Sequence, residues 1–247
     1  MPEPLPVPIN DARNILLRDV IAQNLPNPYY RFVYDTAKFV TEVNFASGLS
    51  VYNTVYENGR IKQLKNTKNG HVMNYTYTDN NVTAINEFDI AAKKILSYEM
   101  FYNSNGKLML INWKEFHDNE TGHIFKKSEL SYQADGNLSL LKNYYDRNGS
   151  LDLSSTRAFS NYDDKICVDD FYLVEDFFDS FLFLPLVKLQ QNNPANEIIS
   201  GGENAYDITY TYEFNNGLPT RKSGIVIQTK GPDAGKAVNI GYQFTYY

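Results

Sequence analysis

One short unit recurs along this chain and limits what it can fold into. An aromatic residue is followed by two or three polar residues, a Gly or Asn, one further residue, and an aliphatic. The unit reads Tyr56-Glu-Asn-Gly-Arg-Ile61, Tyr102-Asn-Ser-Asn-Gly-Lys-Leu108, Tyr132-Gln-Ala-Asp-Gly-Asn-Leu138 and Tyr145-Asp-Arg-Asn-Gly-Ser-Leu151. A shifted copy is Tyr77-Thr-Asp-Asn-Asn-Val82, and weaker ones are Tyr162-Asp-Asp-Lys-Ile166 and Phe214-Asn-Asn-Gly-Leu218. Asn-Gly and Asp-Gly reach positive φ at little cost, so each unit turns the chain tightly. The aromatic before the turn and the aliphatic after it then pack across the hairpin, for roughly 0.2–1 kcal/mol per pair. A lone hairpin is unstable in water, so every copy has to lean on its neighbours.

The stretches between turns alternate as half-buried strands do. Ile208, Tyr210, Tyr212 and Phe214 share one face, with Thr209, Thr211 and Glu213 on the other. Ile240, Tyr242, Phe244 and Tyr246 repeat the pattern at the C-terminus, whereas Leu108 to Trp113 is apolar on both faces. About a dozen strands are expected between Tyr29 and Tyr247. The 20 Tyr and 15 Phe suit pleated surfaces that are half buried. The fold class is therefore all-β: a large antiparallel meander of tandem hairpins, open or barrel-like.

Two stretches read as helical. Asp11 to Asn24 resembles a short helix stopped by Pro26. In Phe171 to Leu184, residues Val174, Phe177, Phe178, Phe181 and Leu182 fall at helical spacing, ended by Pro185. This apolar helix, near 171–189 in an insertion of about 167–203, is expected to cover an open face or mouth of the sheet. Phe177, Phe178 and Phe181, with Tyr210 and Tyr212, are the candidate ligand or lid surface. Residues 1–10, with Pro2, Pro4, Pro6 and Pro8, read as a stiff spacer, and 11–247 as one domain. Such a spacer suits a domain held off a membrane after removal of an export signal.

The hairpin copies, Tyr162-Asp-Asp-Lys165, the aliphatic-aromatic insertion, Asn192-Asn-Pro194 and the closing Tyr-x-Phe-x-Tyr246 together resemble a Bacteroidetes-type family of lipoproteins. That family has no known function and a porin-like sheet. The resemblance implies export and lipid anchoring, and brings no catalytic residues. Where the family often has Asn-Pro after Asp-Asp-Lys, this chain has Cys167-Val-Asp-Asp170. Tyr145 to Leu151 is also similar to the Tyr-Asp repeat of Rhs-type shell proteins.

A net charge of −6 gives no cationic footprint for phosphates, so nucleic acid is not an expected partner. Cys167 is the single cysteine, which rules out an intrachain disulfide. No cofactor is expected. His117 and His123 bracket a turn and are weak metal candidates, as are Asp163 and Asp164, whose loop lacks the glycine of a calcium site. Asp163, Asp164, Asp169 and Asp170 form an acidic cluster whose carboxylates could also be read as a glycosidase pair. No Gly-x-Ser-x-Gly elbow is present. Asp35-Thr36-Ala37 looks like a short O-glycosylation acceptor of exported bacterial proteins. The porin-like strands are nonetheless expected to be water-soluble. From His123 to Ser131 one face carries Lys126 and the other Lys127 and Glu129, and Lys at a bilayer midplane costs roughly 2–4 kcal/mol.

The expected protein is a noncatalytic binding or structural module of the cell envelope, in the periplasm or at the outer-membrane surface. Its partner would be a small molecule, a glycan or an envelope protein, and its membrane contact an N-terminal lipid anchor alone. A carrier for an apolar ligand beneath a helical lid is one alternative. A carbohydrate-active enzyme using the acidic residues is the other.

Overall fold

The recurring units become bends between antiparallel strands, and the strands close on themselves. The computed structural model describes residues 15–117, 121–168, 182–184 and 187–247. Its strands are β1 (Leu17–Ala22), β2 (Tyr30–Tyr34), β3 (Val40–Phe45), β4 (Ser50–Glu57), β5 (Arg60–Asn66) and β6 (Val72–Thr78). There follow β7 (Asn81–Phe88), β8 (Lys94–Tyr102), β9 (Leu108–Glu115), β10 (His123–Tyr132) and β11 (Leu138–Arg147). The last are β12 (Ser150–Ile166), β13 (Asn192–Ser200), β14 (Ala205–Asn215), β15 (Leu218–Lys230) and β16 (Ala237–Tyr246). Each pairs with its sequence neighbours, and β16 pairs with β1, giving a closed antiparallel barrel of 16 strands.

The aromatic-aliphatic pairing expected across the turns is present at four copies, but not at Tyr162, which faces Pro194, or at Phe214, which faces Pro219. Tyr56 stands opposite Ile61, Tyr77 opposite Val82, Tyr102 opposite Leu108 and Tyr132 opposite Leu138. Tyr34 opposite Val40 is a further copy, one the sequence pattern hides behind Asp35-Thr36-Ala37. These turns all lie at one end of the barrel, the tyrosine end. The copy at Tyr145 does not belong with them. Its turn lies at the opposite end, with Tyr145 facing Asp152 and Leu151 facing Asp146.

The tyrosines also reach backwards. The hydroxyl of Tyr77 donates to the carbonyl of Ile61, that of Tyr102 to Val82 and that of Tyr132 to Leu108, each at 2.9 Å. Tyr34 does the same to Leu17, Tyr162 to Leu138, Tyr212 to Pro194 and Tyr246 to Pro219. On β4 the hydroxyl of Thr54 takes this role, donating to Val40. Each tyrosine thus ties its own strand to the next through the ring and to the previous one through the hydroxyl. Burial pushes the Tyr77 phenol up to about 12, despite the neighbouring Arg60 charge, so it remains a donor across the physiological range.

A sheet of this many strands encloses more space than short side chains fill. Large ones fill it here. Tyr98, Ile85, Ile111, Leu64 and Leu138 are wholly buried, and Trp113 and Phe32 are 1% exposed. Trp113 meets Tyr98 edge to face at 5.2 Å. At Gly224 the wall allows no side chain, because a Cβ there would lie 2.8 Å from Ile240 and 3.0 Å from the Tyr210 ring.

One helical expectation changes. Leu17–Ala22, part of the stretch read as a helix, is strand β1. Its bulge between Leu17 and Asp19 breaks the alternation, so Leu17 and Val20 fall at a helix-like spacing although both point inward. The predicted helical insertion lies largely outside the described residues, Phe177, Phe178 and Phe181 included. Its described parts, 182–184 and 187–189, are not helical.

Candidate functional site in the barrel interior

The two sequence segments on either side of the insertion meet at its base. Tyr162 on β12 stands opposite Pro194 on β13. The Asp163 carboxylate accepts from the Asn193 backbone N–H at 3.0 Å and from its side-chain amide at 3.1 Å. The Asn192 amide donates to the Lys165 carbonyl at 3.0 Å. Asn137, wholly buried on the neighbouring turn, accepts the backbone N–H groups of Gln191 and Asn192. Tyr162-Asp-Asp-Lys165 and Asn192-Asn-Pro194 therefore form a collar that fixes where the chain leaves and rejoins the barrel wall. In sequence the insertion was carried to about 203, but β13 already begins at Asn192.

Three described residues of the insertion lie inside the barrel. Leu182, Phe183 and Leu184 are buried in the same core as the wall strands. Phe183 lies 6.0 Å from Phe32 on β2, and its carbonyl accepts the Tyr75 hydroxyl of β6 at 2.8 Å. Burial raises the Tyr75 phenol well above its ordinary range, so the donor stays protonated. These three residues form a stopper inside the barrel, and the expected lid residues Phe177, Phe178 and Phe181 lie outside the described residues.

Deeper in the lumen lies a charged cluster. Glu197 on β13 is wholly buried. Arg157 Nε on β12 donates to it at 2.6 Å and the Tyr210 hydroxyl on β14 at 2.8 Å. Burial opposes the charge on Glu197, but Arg157 and Tyr210 outweigh it, with Lys222 adding to them, and hold the carboxyl below its usual range. Lys222 on β15 is 2% exposed, and its ammonium lies 4.4 Å from the Tyr210 ring centre and 5.3 Å from that of Tyr242. A matching arrangement sits on the other wall, with Lys126 4.2 Å above Trp113 and 5.3 Å from Tyr145. Cations against aromatic faces gain attraction where water is excluded. Sequence reading missed Glu197, Arg157, Lys126 and Lys222. The available signal was a charge in phase with inward residues, as Lys222 is with Gly224 and Val226.

The sequence candidates occupy other places. Tyr210 and Tyr212 face inward, one on Glu197 and the other on the Pro194 carbonyl. His117 lies 3.5 Å from Glu115, and His123 lies 3.0 Å from Asp146, so the two imidazoles attend different carboxylates. Asp163 serves the collar, and Asp164 points to solvent beside Lys165 at 3.0 Å. Among the described residues no three His, Cys, Asp or Glu side chains gather in a metal-holding group. Asp169 and Asp170 lie outside the described residues. Cys167 is buried at the collar near Gln190.

No family model matches the chain, and no curated protein matches it in sequence. Solved structures do share its fold. A porin-like protein from Bacteroides uniformis ATCC 8492 is similar over 88% of this chain and 89% of its own, with 16% identity and a TM-score of 0.59. A porin-like protein from Bacteroides vulgatus ATCC 8482 is similar over 94% of this chain and 99% of its own, with 12% identity and a TM-score of 0.60. The chain has a porin-like fold. That porin-like barrel is occupied by its own core and by the stopper, and its outer face carries ion pairs such as Lys114–Glu99 at 2.5 Å and Lys127–Glu129 at 2.6 Å.

Proposed function

We propose that this protein is an exported cell-envelope module held to the membrane by an N-terminal lipid anchor, with a porin-like barrel that stands in water and conducts nothing. Its role is noncatalytic: it binds a partner or serves as a structural element. The filled interior carries this reading. A conduit of this strand number keeps a water-filled lumen, whereas here Trp113, Tyr98 and Phe183 are buried together in one hydrophobic core. Charged residues on the outward positions of β8 to β11 support a water-facing wall, since each Lys at a bilayer midplane costs roughly 2–4 kcal/mol. The likeness in fold to the Bacteroides proteins and the proline-rich start are consistent with an envelope setting.

Metabolic labelling with a palmitate analogue tests the anchor. The protein expressed from its native gene is expected to carry the label and to partition with the detergent phase, while residues 15–247 remain in the aqueous phase. An unlabelled protein in the cytosolic fraction would overturn the proposal.

A further inference from the structure

Asn-Gly pairs occur on this chain at 58–59, 69–70, 105–106, 148–149 and 216–217. All lie in bends between strands, but the bends are of two kinds. Asn58-Gly59, Asn148-Gly149 and Asn216-Gly217 are two-residue turns, closed by the pairs Glu57–Arg60, Arg147–Ser150 and Asn215–Leu218. Both residues of each turn are left-handed, with φ of 52° and 74°, 59° and 86°, and 51° and 79°. Asn-Gly is favoured there because this turn matches the twist of the flanking strands. Among the described residues, the N–H groups of Gly59, Gly149 and Gly217 and the carboxamides of Asn58, Asn148 and Asn216 take part in no hydrogen bond. The three asparagines are exposed, and a Cβ on Gly149 or Gly217 would meet nothing within 4 Å. The other two pairs sit in longer bends that engage the corresponding glycine nitrogen. Gly70 N–H donates to the Asn66 carbonyl at 2.9 Å, and the Asn69 side-chain oxygen accepts the His71 N–H at 2.9 Å. Gly106 N–H donates to the Asn103 carbonyl at 3.0 Å.

We propose that Asn58, Asn148 and Asn216 are sites of self-modification, converting to aspartyl and isoaspartyl residues by intramolecular acyl transfer. The Gly nitrogen gives its proton to base and attacks the side-chain carboxamide carbon of the preceding Asn. The new N–C bond closes a succinimide ring. The C–N bond of the carboxamide breaks, and its nitrogen takes up a proton and leaves as ammonia. Water then opens the ring. Breaking the bond to the side-chain carbon leaves aspartate, whereas breaking the bond to the main-chain carbon leaves isoaspartate, with the chain running through the former side chain. Water is consumed and ammonia released, with no change of oxidation state. Glycine is the least hindered nucleophile, since it has no Cβ, and its backbone freedom lets the peptide unit swing onto the carboxamide. A Gly N–H that already donates to a carbonyl must first lose that bond. The fold thus selects among pairs of the same sequence. The product in turn acts on the fold. Isoaspartate lengthens the backbone of a turn whose length sets the register of its two strands, and each conversion adds a carboxylate. The inference stands apart from the lipid anchor and the envelope setting.

Incubation of residues 1–247 in mildly alkaline buffer, folded or in urea, followed by peptide mapping with mass spectrometry, reads each pair separately. In the folded protein Asn58, Asn148 and Asn216 are expected to convert about fivefold or more faster than Asn69 and Asn105, the factor that one hydrogen bond of ordinary net strength imposes. In urea all of them should convert at similar rates. Methyl transfer by a protein isoaspartyl methyltransferase should label the three turns. Folded-state conversion at Asn69 or Asn105 as fast as at the turns would overturn the proposal. So would the same ranking of rates in urea, since sequence and not structure would then select the sites. Turns that stay intact while the unfolded chain converts, or that yield aspartate with no isoaspartate, would overturn it too.

Discussion

Tyr246 stands directly opposite Leu17 across the β16–β1 pair, the position Tyr77 holds opposite Val82 within a continuous hairpin. The Leu17 carbonyl accepts the Tyr34 hydroxyl at 2.9 Å, as the Ile61 carbonyl accepts that of Tyr77. The seam of the barrel is therefore another copy of the repeated unit with no turn joining its strands. The backbone ladder between β16 and β1, continued by the Tyr247 N–H to the Leu16 carbonyl at 3.1 Å, and these side chains hold it.

Removing one seam latch isolates its contribution. Tyr34→Phe keeps the ring, which meets Tyr247 at 5.7 Å, and deletes only the hydroxyl. Urea denaturation should show a loss of about 1 kcal/mol, the net value of one hydrogen bond. Tyr246→Ala removes ring and hydroxyl together and should cost about 3 kcal/mol or more.

Asp19 gives the seam a pH dependence. Burial raises its carboxyl, but Arg31 at 2.6 Å, Arg18 at 3.0 Å and Thr245 hold it below the usual value of 3.8. A carboxyl depressed by folding adds stability that is fully present above its unfolded value and lost as pH falls through the folded one. Thermal melts should thus fall steeply below about pH 4. Asp19→Asn should be less stable at neutral pH and show a shallower acid limb, while an acid limb of unchanged slope would remove Asp19 from the account.

The interior cluster is a matched set. Arg157→Ala leaves Glu197 buried without its ion-pair partner, held only by the Tyr210 hydroxyl and the more distant Lys222, at an expected cost of about 3 kcal/mol. Arg157→Met combined with Glu197→Leu removes both charges and should recover much of that loss. A double variant as unstable as the single one would mean that the ion pair itself, and not the orphaned charge, dominates.

Gly224 marks the tight point of the wall. Gly224→Val would press on Ile240 and Tyr210 and should cost about 1–3 kcal/mol through overpacking, read from the urea midpoint. The same change at Gly217, where a Cβ meets nothing within 4 Å, should act only through its left-handed backbone, φ +79°.

Much of this wall was legible before its coordinates. Tyr56 with Ile61 or Tyr132 with Leu138 needs only a turn of known length, so sequence spacing gives the pair. The seam was not legible, because Leu17 and Tyr246 meet through closure of the whole meander. The bulge beside Leu17 added a helix-like spacing, and the pairing demand of β16 overrode that local pattern. The interior charges failed for a related reason. Glu197, Arg157, Tyr210 and Lys222 sit on four consecutive strands, and only the register of those strands brings them together. The collar lay between these cases, since Asp163 and Asn193 stood in segments already singled out, but nothing local joined them.

Trp113 is the lone tryptophan and lies 1% exposed in the lumen, so its fluorescence reports on the interior of the barrel directly. In detergent-free buffer the folded protein should emit at short wavelength and resist quenching by acrylamide and iodide until urea unfolds it. A folded barrel whose Trp113 is quenched as readily as free tryptophan would have water in its lumen, and would contradict the filled interior on which the account rests.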